Sequence, residues 1–286
     1  LERISNVAGL ALKQLLSSST PLHSRSFAIV TTSNMKSDSG TSLAGRKIII
    51  TGAASGIGHA TAILFAAQGA SIAMLDVKDI ALWQEGPGNA LRYQVDLLDR
   101  TRVQSEVQRA GEALGGIDGV VNCAAIGIYG SIDDYPIEDW DRVLGVNLTA
   151  PFLLIQAAMP FLRRARAATI VNVASGAGLR PNAPGSLAYA TSKGGLISMS
   201  KVLAYELAPA IRVNTVTPGV VDTAMSRDVV IGEYDDPNDA PFVQNYALKR
   251  VAEPRELANV ILFLTSDASS FVTGSNLVAD GGRLFL

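Results

Sequence analysis

The chain has 286 residues, 48% hydrophobic and 17% charged, enough apolar material for one large folded unit or two small ones. Its net charge of −2, with no dense Lys/Arg cluster, argues against a nucleic-acid partner, and the longest apolar stretch, residues 150–162, is interrupted by Gln156 and too short to cross a bilayer, so no membrane partner is expected. One cysteine, Cys123, and two histidines, His23 and His59, exclude an intrachain disulfide, fit a reducing compartment and leave no zinc-ligand spacing.

Residues 1–42 are rich in Ser and Thr and carry Arg3, Lys13, Arg25 and Lys36 against only Glu2 and Asp38. They are expected to lie outside the globular unit, as a disordered arm or as a basic, acid-poor leader of mitochondrial type. Met35 stands just ahead of the regular pattern. A cytoplasmic protein is therefore expected, with the mitochondrial matrix as the alternative if residues 1–34 act as a transit peptide.

From residue 43 onward, short Ile/Val-rich runs ending in Gly, Asp, Asn or Ser read as buried strands: 46–52, 70–77, 90–96, 117–124, 168–175 and 211–219, with a last short one at 275–282. Between them, residues 56–69, 99–114, 137–164, 188–208 and 253–264 show helical periodicity. This alternation predicts an α/β fold, a doubly wound parallel sheet with helices on both faces, as a single domain over 43–286. Ligands of such a sheet sit in the crevice at the carboxyl ends of the strands.

The first strand runs into "TGAASGIG", residues 51–58, and then into an Ala-rich helix. Gly52, Gly56 and Gly58 allow a tight turn, close backbone approach to a pyrophosphate and close helix packing, while the helix N-terminus offers unpaired N–H groups. Asp76 ends the second strand, where a carboxylate hydrogen-bonds the ribose hydroxyls of an adenine dinucleotide and repels the extra phosphate of NADP. Lys78 is the nearest cation, so NAD is the expected cofactor; the alternative is a solvated turn aspartate. Asp96 ends the third run and serves either an adenine amino group or a cap for the helix starting near Asp99. Further on, "YATSK" sets Tyr189 and Lys193 four residues apart, on one face of a helix. Taken singly, that spacing also fits a surface pair.

The ordered set "TGAASGIG", "NCAA" at 122–125, Asn147, Ser175 in "VNVASGAG", "YATSK" and "TPGVVDT" makes residues 43–286 resemble the short-chain dehydrogenase/reductase family. The resemblance implies a hydride-transferring enzyme with Asn147, Ser175, Tyr189 and Lys193 as its catalytic set. Tyr189 would exchange a proton with the alcohol or ketone oxygen, its pKa lowered toward neutrality by Lys193 and the positive nicotinamide, and Lys193 would also hold the ribose hydroxyls. Ser175 would steady the substrate oxygen. The Asn147 carbonyl would hold a water leading from Lys193 to solvent, with its side-chain amide supporting a distorted helix; a buried structural asparagine is the alternative. Cofactor contacts are implied at Gly52, Ser55, Gly56, Ile57, Gly58, Asp76, Asp96, Leu97, Asn122, Ala124, Tyr189, Lys193, Pro218, Gly219, Val221 and Thr223, the Thr223 hydroxyl lying near the carboxamide. No metal site is implied.

The segment "NCAA" departs from the family's Asn-Asn-Ala-Gly, and Cys123 there reads as core volume rather than as a nucleophile. His59, following Gly58, reads as a packed or solvated residue. Residues 223–248 form a long insertion, expected to act as a mobile substrate lid, in which Asp228, Glu233, Asp235, Asp236 and Asp239 face Arg227 alone. That charge disfavours anionic substrates and points to a neutral secondary alcohol or ketone, such as a polyol, sugar or alicyclic alcohol. The alternatives are a 3-oxoacyl-(acyl-carrier-protein) reductase and, in another class, a non-catalytic NAD-binding module. A homotetramer or homodimer built through the helices around Asn147 and Tyr189 is implied by the resemblance.

Overall fold

Alternate residues of β1 (Lys47–Thr51) enter opposite cores, as the period of two in a strand requires: Ile49 joins one apolar cluster, Ile48 and Ile50 the other. A computed structural model of the protein describes residues 40–80, 90–181, 183–232 and 234–284. The chain divides into units Leu1–Ser37 and Asp38–Leu286, and the described residues all belong to the second, so the expectations for residues 1–39 of the N-terminal extension and for Glu233 lie outside them.

In chain order the elements are β1, α1 (Gly56–Ala67), β2 (Ser71–Asp76), β3 (Ala90–Gln94), α2 (Arg100–Leu114), β4 (Gly119–Asn122), α3 (Ile137–Leu144), a π-helical turn (Gly145–Thr149), α4 (Ala150–Leu162), β5 (Ala168–Val173), α5 (Leu187–Leu207), β6 (Ile211–Pro218), α6 (Pro254–Thr265) and β7 (Asn276–Ala279). The strands form one seven-stranded sheet in the order β3-β2-β1-β4-β5-β6-β7, and every pairing is parallel. Helices α2 and α4 pack one face with Val103, Val107, Leu154 and Ala158, while α1 and α6 pack the other with Phe65, Leu257 and Ile261. The strand order reverses between β1 and β4, which opens the crevice where ligands of such sheets bind.

One strand reading needs correction: β3, expected to be buried, is an edge strand whose residues alternate between exposed and half-buried, because an edge strand has one neighbour instead of two. The short closing strand β7 lies at the other edge and has no buried residue. Asp99 caps α2 by accepting the Arg102 N–H at 2.9 Å, whereas Asp96 accepts the Leu98 N–H at 2.9 Å in a turn before the helix, so the capping alternative for Asp96 fails. The span Ile137–Leu162 is long and apolar enough, by length and composition, to cross a membrane, a longer stretch than the sequence reading weighed. Ala150, Leu154, Ala158 and Leu162 on its inner side belong to the core between sheet and helices.

Candidate active site

The loops after β1, β4, β5 and β6 and the first turns of α5 make the site. After β1 the chain turns through Gly52 and Gly56 at φ of 68° and 56°. The turn is close-packed as well as left-handed: a Cβ at Gly52 would lie 2.8 Å from the Ala124 nitrogen, and one at Gly58 only 2.2 Å from the Gly52 carbonyl oxygen. Ser55, at the N-cap of α1, makes no side-chain capping bond, so side-chain capping leaves the helix's leading amides to a ligand. Asp76 spans the turn from the neighbouring strand, accepting from the Ala54 N–H at 2.9 Å and the Lys78 N–H at 2.9 Å. Each carboxylate oxygen keeps a lone pair for a further donor. A turn of small residues, an open helix end and a half-buried carboxylate at the next strand end fit an adenine dinucleotide.

Thr51, buried at the end of β1, was not singled out from the sequence. Its hydroxyl accepts from both the Cys123 and Ala124 N–H groups at 3.2 Å, joining the glycine turn to the loop after β4. A threonine at the last position of a strand that enters a glycine turn was the available signal. Asn122 is buried and donates to the Asn172 side-chain oxygen at 2.8 Å, and Asn172 donates to the Ser200 hydroxyl at 2.8 Å. Its side chain therefore ties β4 to β5, and Asn172 carries the link on to α5.

Asn147 sits at zero exposure in the π-helical turn, so the expected helix distortion is present. Its side chain accepts from the Ile126 N–H at 2.9 Å, donates to the Ile126 carbonyl at 2.9 Å and donates to the Ser192 hydroxyl at 3.1 Å. The amide thus supports the loop after β4 and the start of α5, two elements distant in sequence, rather than its own helix.

Tyr189 and Lys193 stand one turn apart on α5, with the ammonium nitrogen 5.8 Å from the phenol ring centroid. Lys193 is buried and donates to the Val173 carbonyl at 2.8 Å, leaving two of its three donors for other partners. Burial pulls its pKa down to about 8, opposed by the neighbouring Cys123. The Tyr189 phenol is pushed up to about 12, chiefly by burial, with a hydrogen bond to Ser175 acting the other way and Tyr129 adding to the rise. The lowering expected from Lys193 is not realised by this chain alone, because the phenol's desolvation outweighs the help it receives. Ser175 adopts extended φ and ψ of −165° and 152° at the N-cap of a short 3₁₀ turn, and its oxygen accepts from the Ala177 N–H at 3.2 Å. Close approach of that turn to α5 depends on Gly178, where a Cβ would lie 2.7 Å from the Gly194 nitrogen.

The remaining expected contacts are spread around this centre. Pro218 ends β6, and Gly219 passes so close to Asp280 that a Cβ would meet its carbonyl oxygen at 2.9 Å. Val221 is buried and bridges to Ala252. The Thr223 hydroxyl accepts from the Ser226 N–H at 3.3 Å in a capping box, and its methyl faces Gly56, so the hydroxyl is already engaged in holding the start of the insertion. Ile57 is half-buried at the start of α1, and Leu97 is buried beside the exposed Asp96. Cys123 is pushed up to about 12 by burial, the direction expected for a packed thiol, and His59 bonds the Ala53 carbonyl at 3.1 Å. The insertion carries a small core of its own, Ile231, Ala240 and Val243 against Val251, and Tyr246 accepts the Val220 N–H at 3.1 Å, anchoring it beside the loop after β6.

The family model described as enoyl-(acyl carrier protein) reductase matches residues 52–283. A 3-oxoacyl-(acyl-carrier-protein) reductase of Thermotoga maritima is 39% identical over 249 residues, covering 84% of this chain and 98% of the relative. An NAD-dependent glycerol dehydrogenase of Listeria innocua is 35% identical over 239 residues, covering 82% and 92%. Among solved structures, the ligand-free aldohexose dehydrogenase of Thermoplasma acidophilum superposes with a TM-score of 0.79 at 28% identity, covering 85% of this chain and 96% of that one. The chain belongs to the short-chain dehydrogenase/reductase family of oxidoreductases.

Proposed function

We propose that the protein interconverts a neutral secondary alcohol and its ketone with NAD(H), using Tyr189 as the proton donor and acceptor. The observation that carries the reading is the placing of Tyr189 beside the Ser175 side chain, with Lys193 one helical turn on and its ammonium nitrogen 5.8 Å from the phenol ring centroid. When bound, the cofactor supplies the hydride acceptor or donor at its nicotinamide ring. In oxidation the Tyr189 oxygen takes the alcohol proton, and in reduction it returns it. The Ser175 hydroxyl donates to the substrate oxygen as negative charge develops there. With a phenol held at about 12, lowering toward neutral pH requires further positive charge at the site than Lys193 supplies. The spare Lys193 donors would hold ribose hydroxyls, and Asn147 would keep the loop after β4 and the start of α5 in register. The Asn147 backbone carbonyl remains our proposed holder of a water between Lys193 and solvent.

NAD preference over NADP is supported by Asp76, by the absence of Arg or Lys from residues 51–58, and by the relative from Listeria innocua, whose name states NAD dependence. A neutral substrate is supported by the acids of the insertion, where Arg227 is already paired with Asp222 at 2.7 Å, and by relatives named for glycerol and aldohexose. One observation favours a second reading, 3-oxoacyl-(acyl-carrier-protein) reduction: the relative from Thermotoga maritima carries that name. A homotetramer or homodimer is supported by Phe152 on α4 and Val202 and Tyr205 on α5, apolar and exposed by 45%, 54% and 89%. The lone thiol supports a cytoplasmic setting.

The test is NADH formation over a panel of secondary alcohols and a 3-oxoacyl thioester, with wild type and Tyr189→Phe, beside calorimetric titration of NAD⁺ and NADP⁺ into wild type and Asp76→Ala. Tyr189→Phe is expected to lower kcat by about 100- to 10,000-fold while binding NAD⁺. Wild-type activity in Tyr189→Phe refutes the assignment, and equal binding of both dinucleotides to wild type refutes the NAD preference. NAD⁺ binding without turnover of any substrate favours the non-catalytic module instead.

A further inference from the structure

We propose that Tyr129 determines specificity, its hydroxyl binding a second oxygen on the carbon next to the reacting one, so that the site selects vicinal diols and polyols over simple secondary alcohols. The inference rests on Tyr189 as the residue that meets the reacting hydroxyl. Tyr129 projects from the loop after β4, with its ring centroid 6.2 Å from that of Tyr189 and the planes inclined at 32°. Two phenols therefore stand close together, and Tyr129 is 38% exposed.

The loop that presents Tyr129 is fixed from three directions. Asn147 bonds both backbone groups of Ile126 at 2.9 Å, Tyr135 donates its hydroxyl to the Ile128 carbonyl at 2.9 Å, and the Gly130 N–H donates to the Gly185 carbonyl at 3.0 Å. Two glycines make room for this arrangement. A Cβ at Gly127 would sit 2.8 Å from the Tyr129 ring, and one at Gly130 would sit 3.0 Å from the Tyr135 ring. A side chain set in place so firmly is a binding element more than a mobile surface aromatic.

Yet among the described residues the Tyr129 hydroxyl has no hydrogen-bond partner. At 38% exposure that hydroxyl is open to solvent or to a ligand. Burial pushes its pKa above the ordinary phenol value, so it stays a neutral hydroxyl able both to donate and to accept. With ring centroids 6.2 Å apart, the two phenols are near enough for one small molecule to meet both through O–H···O bonds of about 2.7 Å each. One substrate oxygen then meets Tyr189 and Ser175, and its neighbour meets Tyr129. A substrate with a single hydroxyl gains nothing from the second phenol.

The test compares propane-1,2-diol with propan-2-ol, which share the reacting secondary carbon, in wild type, Tyr129→Phe and Tyr189→Phe with NAD⁺. In Tyr129→Phe the ratio of kcat/KM for the diol to kcat/KM for the mono-alcohol is expected to fall about tenfold, the size of one lost neutral hydrogen bond. A merely structural tyrosine would change both substrates together, so an unmoved ratio overturns the proposal. Activity retained in Tyr189→Phe defeats the acid/base reading instead, while the Tyr129 ratio still judges the second phenol. If neither alcohol turns over in wild type, NMR titration of propane-1,2-diol into the enzyme with NAD⁺ decides: about tenfold weaker diol binding by Tyr129→Phe supports the proposal, and equal affinity overturns it.

Discussion

Replacing Asn147 with leucine should both destabilise the fold and loosen the site, and the size of the effect follows from its bonds. The side chain is fully buried and makes three hydrogen bonds, two to the Ile126 backbone and one to Ser192. Leucine has nearly the same shape but leaves the Ile126 N–H and carbonyl and the Ser192 hydroxyl without it. At about 1 kcal/mol per bond the loss is about 3 kcal/mol, with no large cavity to add. For a folded unit of this size that corresponds to a fall in Tm on the order of 6–12 °C. Urea titration followed by fluorescence and circular dichroism, analysed with a common m-value, measures it. Asn147→Asp separates the roles, because a carboxylate still accepts from Ile126 but cannot donate to its carbonyl or to Ser192. A loss below about 1 kcal/mol for Asn147→Leu would refute the claim that this amide holds the loop after β4 against α5.

Other expectations follow from single contacts. Gly58→Ala places a methyl 2.2 Å from the Gly52 carbonyl, so calorimetry should find NAD⁺ affinity lowered by at least about 100-fold, or the protein unfolded; near-normal binding contradicts the packing described for this turn. Lys193 has a folded pKa of about 8 against 10.5 for the free side chain, so between these values the unfolded state binds more protons and stability rises with pH. Measured against Lys193→Met, wild-type unfolding free energy should gain about 3 kcal/mol from pH 7 to 10.5, and a difference that does not vary with pH refutes the desolvation of this ammonium. The Cys123 thiol, half-buried and pushed up to about 12, should resist alkylation at pH 8 until the protein is unfolded; rapid labelling of the native protein by iodoacetamide would show that its surroundings do not keep it protonated.

Much of this architecture was legible because it is written in local pattern. Runs such as 47–51 and 168–173 are apolar and β-branched, and the helices between them carry their own periodicity, so a parallel sheet followed without knowledge of any long-range contact. Gly52, Gly56 and Gly58 announced a cradle because only glycine tolerates such crowding and, at Gly52 and Gly56, positive φ. Tyr189 and Lys193 were legible as a pair because four residues on a helix make one turn.

What remained hidden lies between segments far apart in sequence. Nothing near Thr51 says that its hydroxyl receives two amides from residues 123 and 124, and nothing near Asn147 names Ile126 as its partner. The pairing of Tyr129 with Tyr189, the burial that drives the phenol up instead of down, and the engagement of the Thr223 hydroxyl in a cap are of the same kind. Sequence by itself determined the elements, their alternation and the residue types able to hold a dinucleotide and move a proton, because propensity and periodicity act over one or two turns of chain. Only the tertiary structure decided which loops meet, which polar groups are desolvated and which hydroxyl is left open, because these depend on the order in which the strands assemble around β1 and β4.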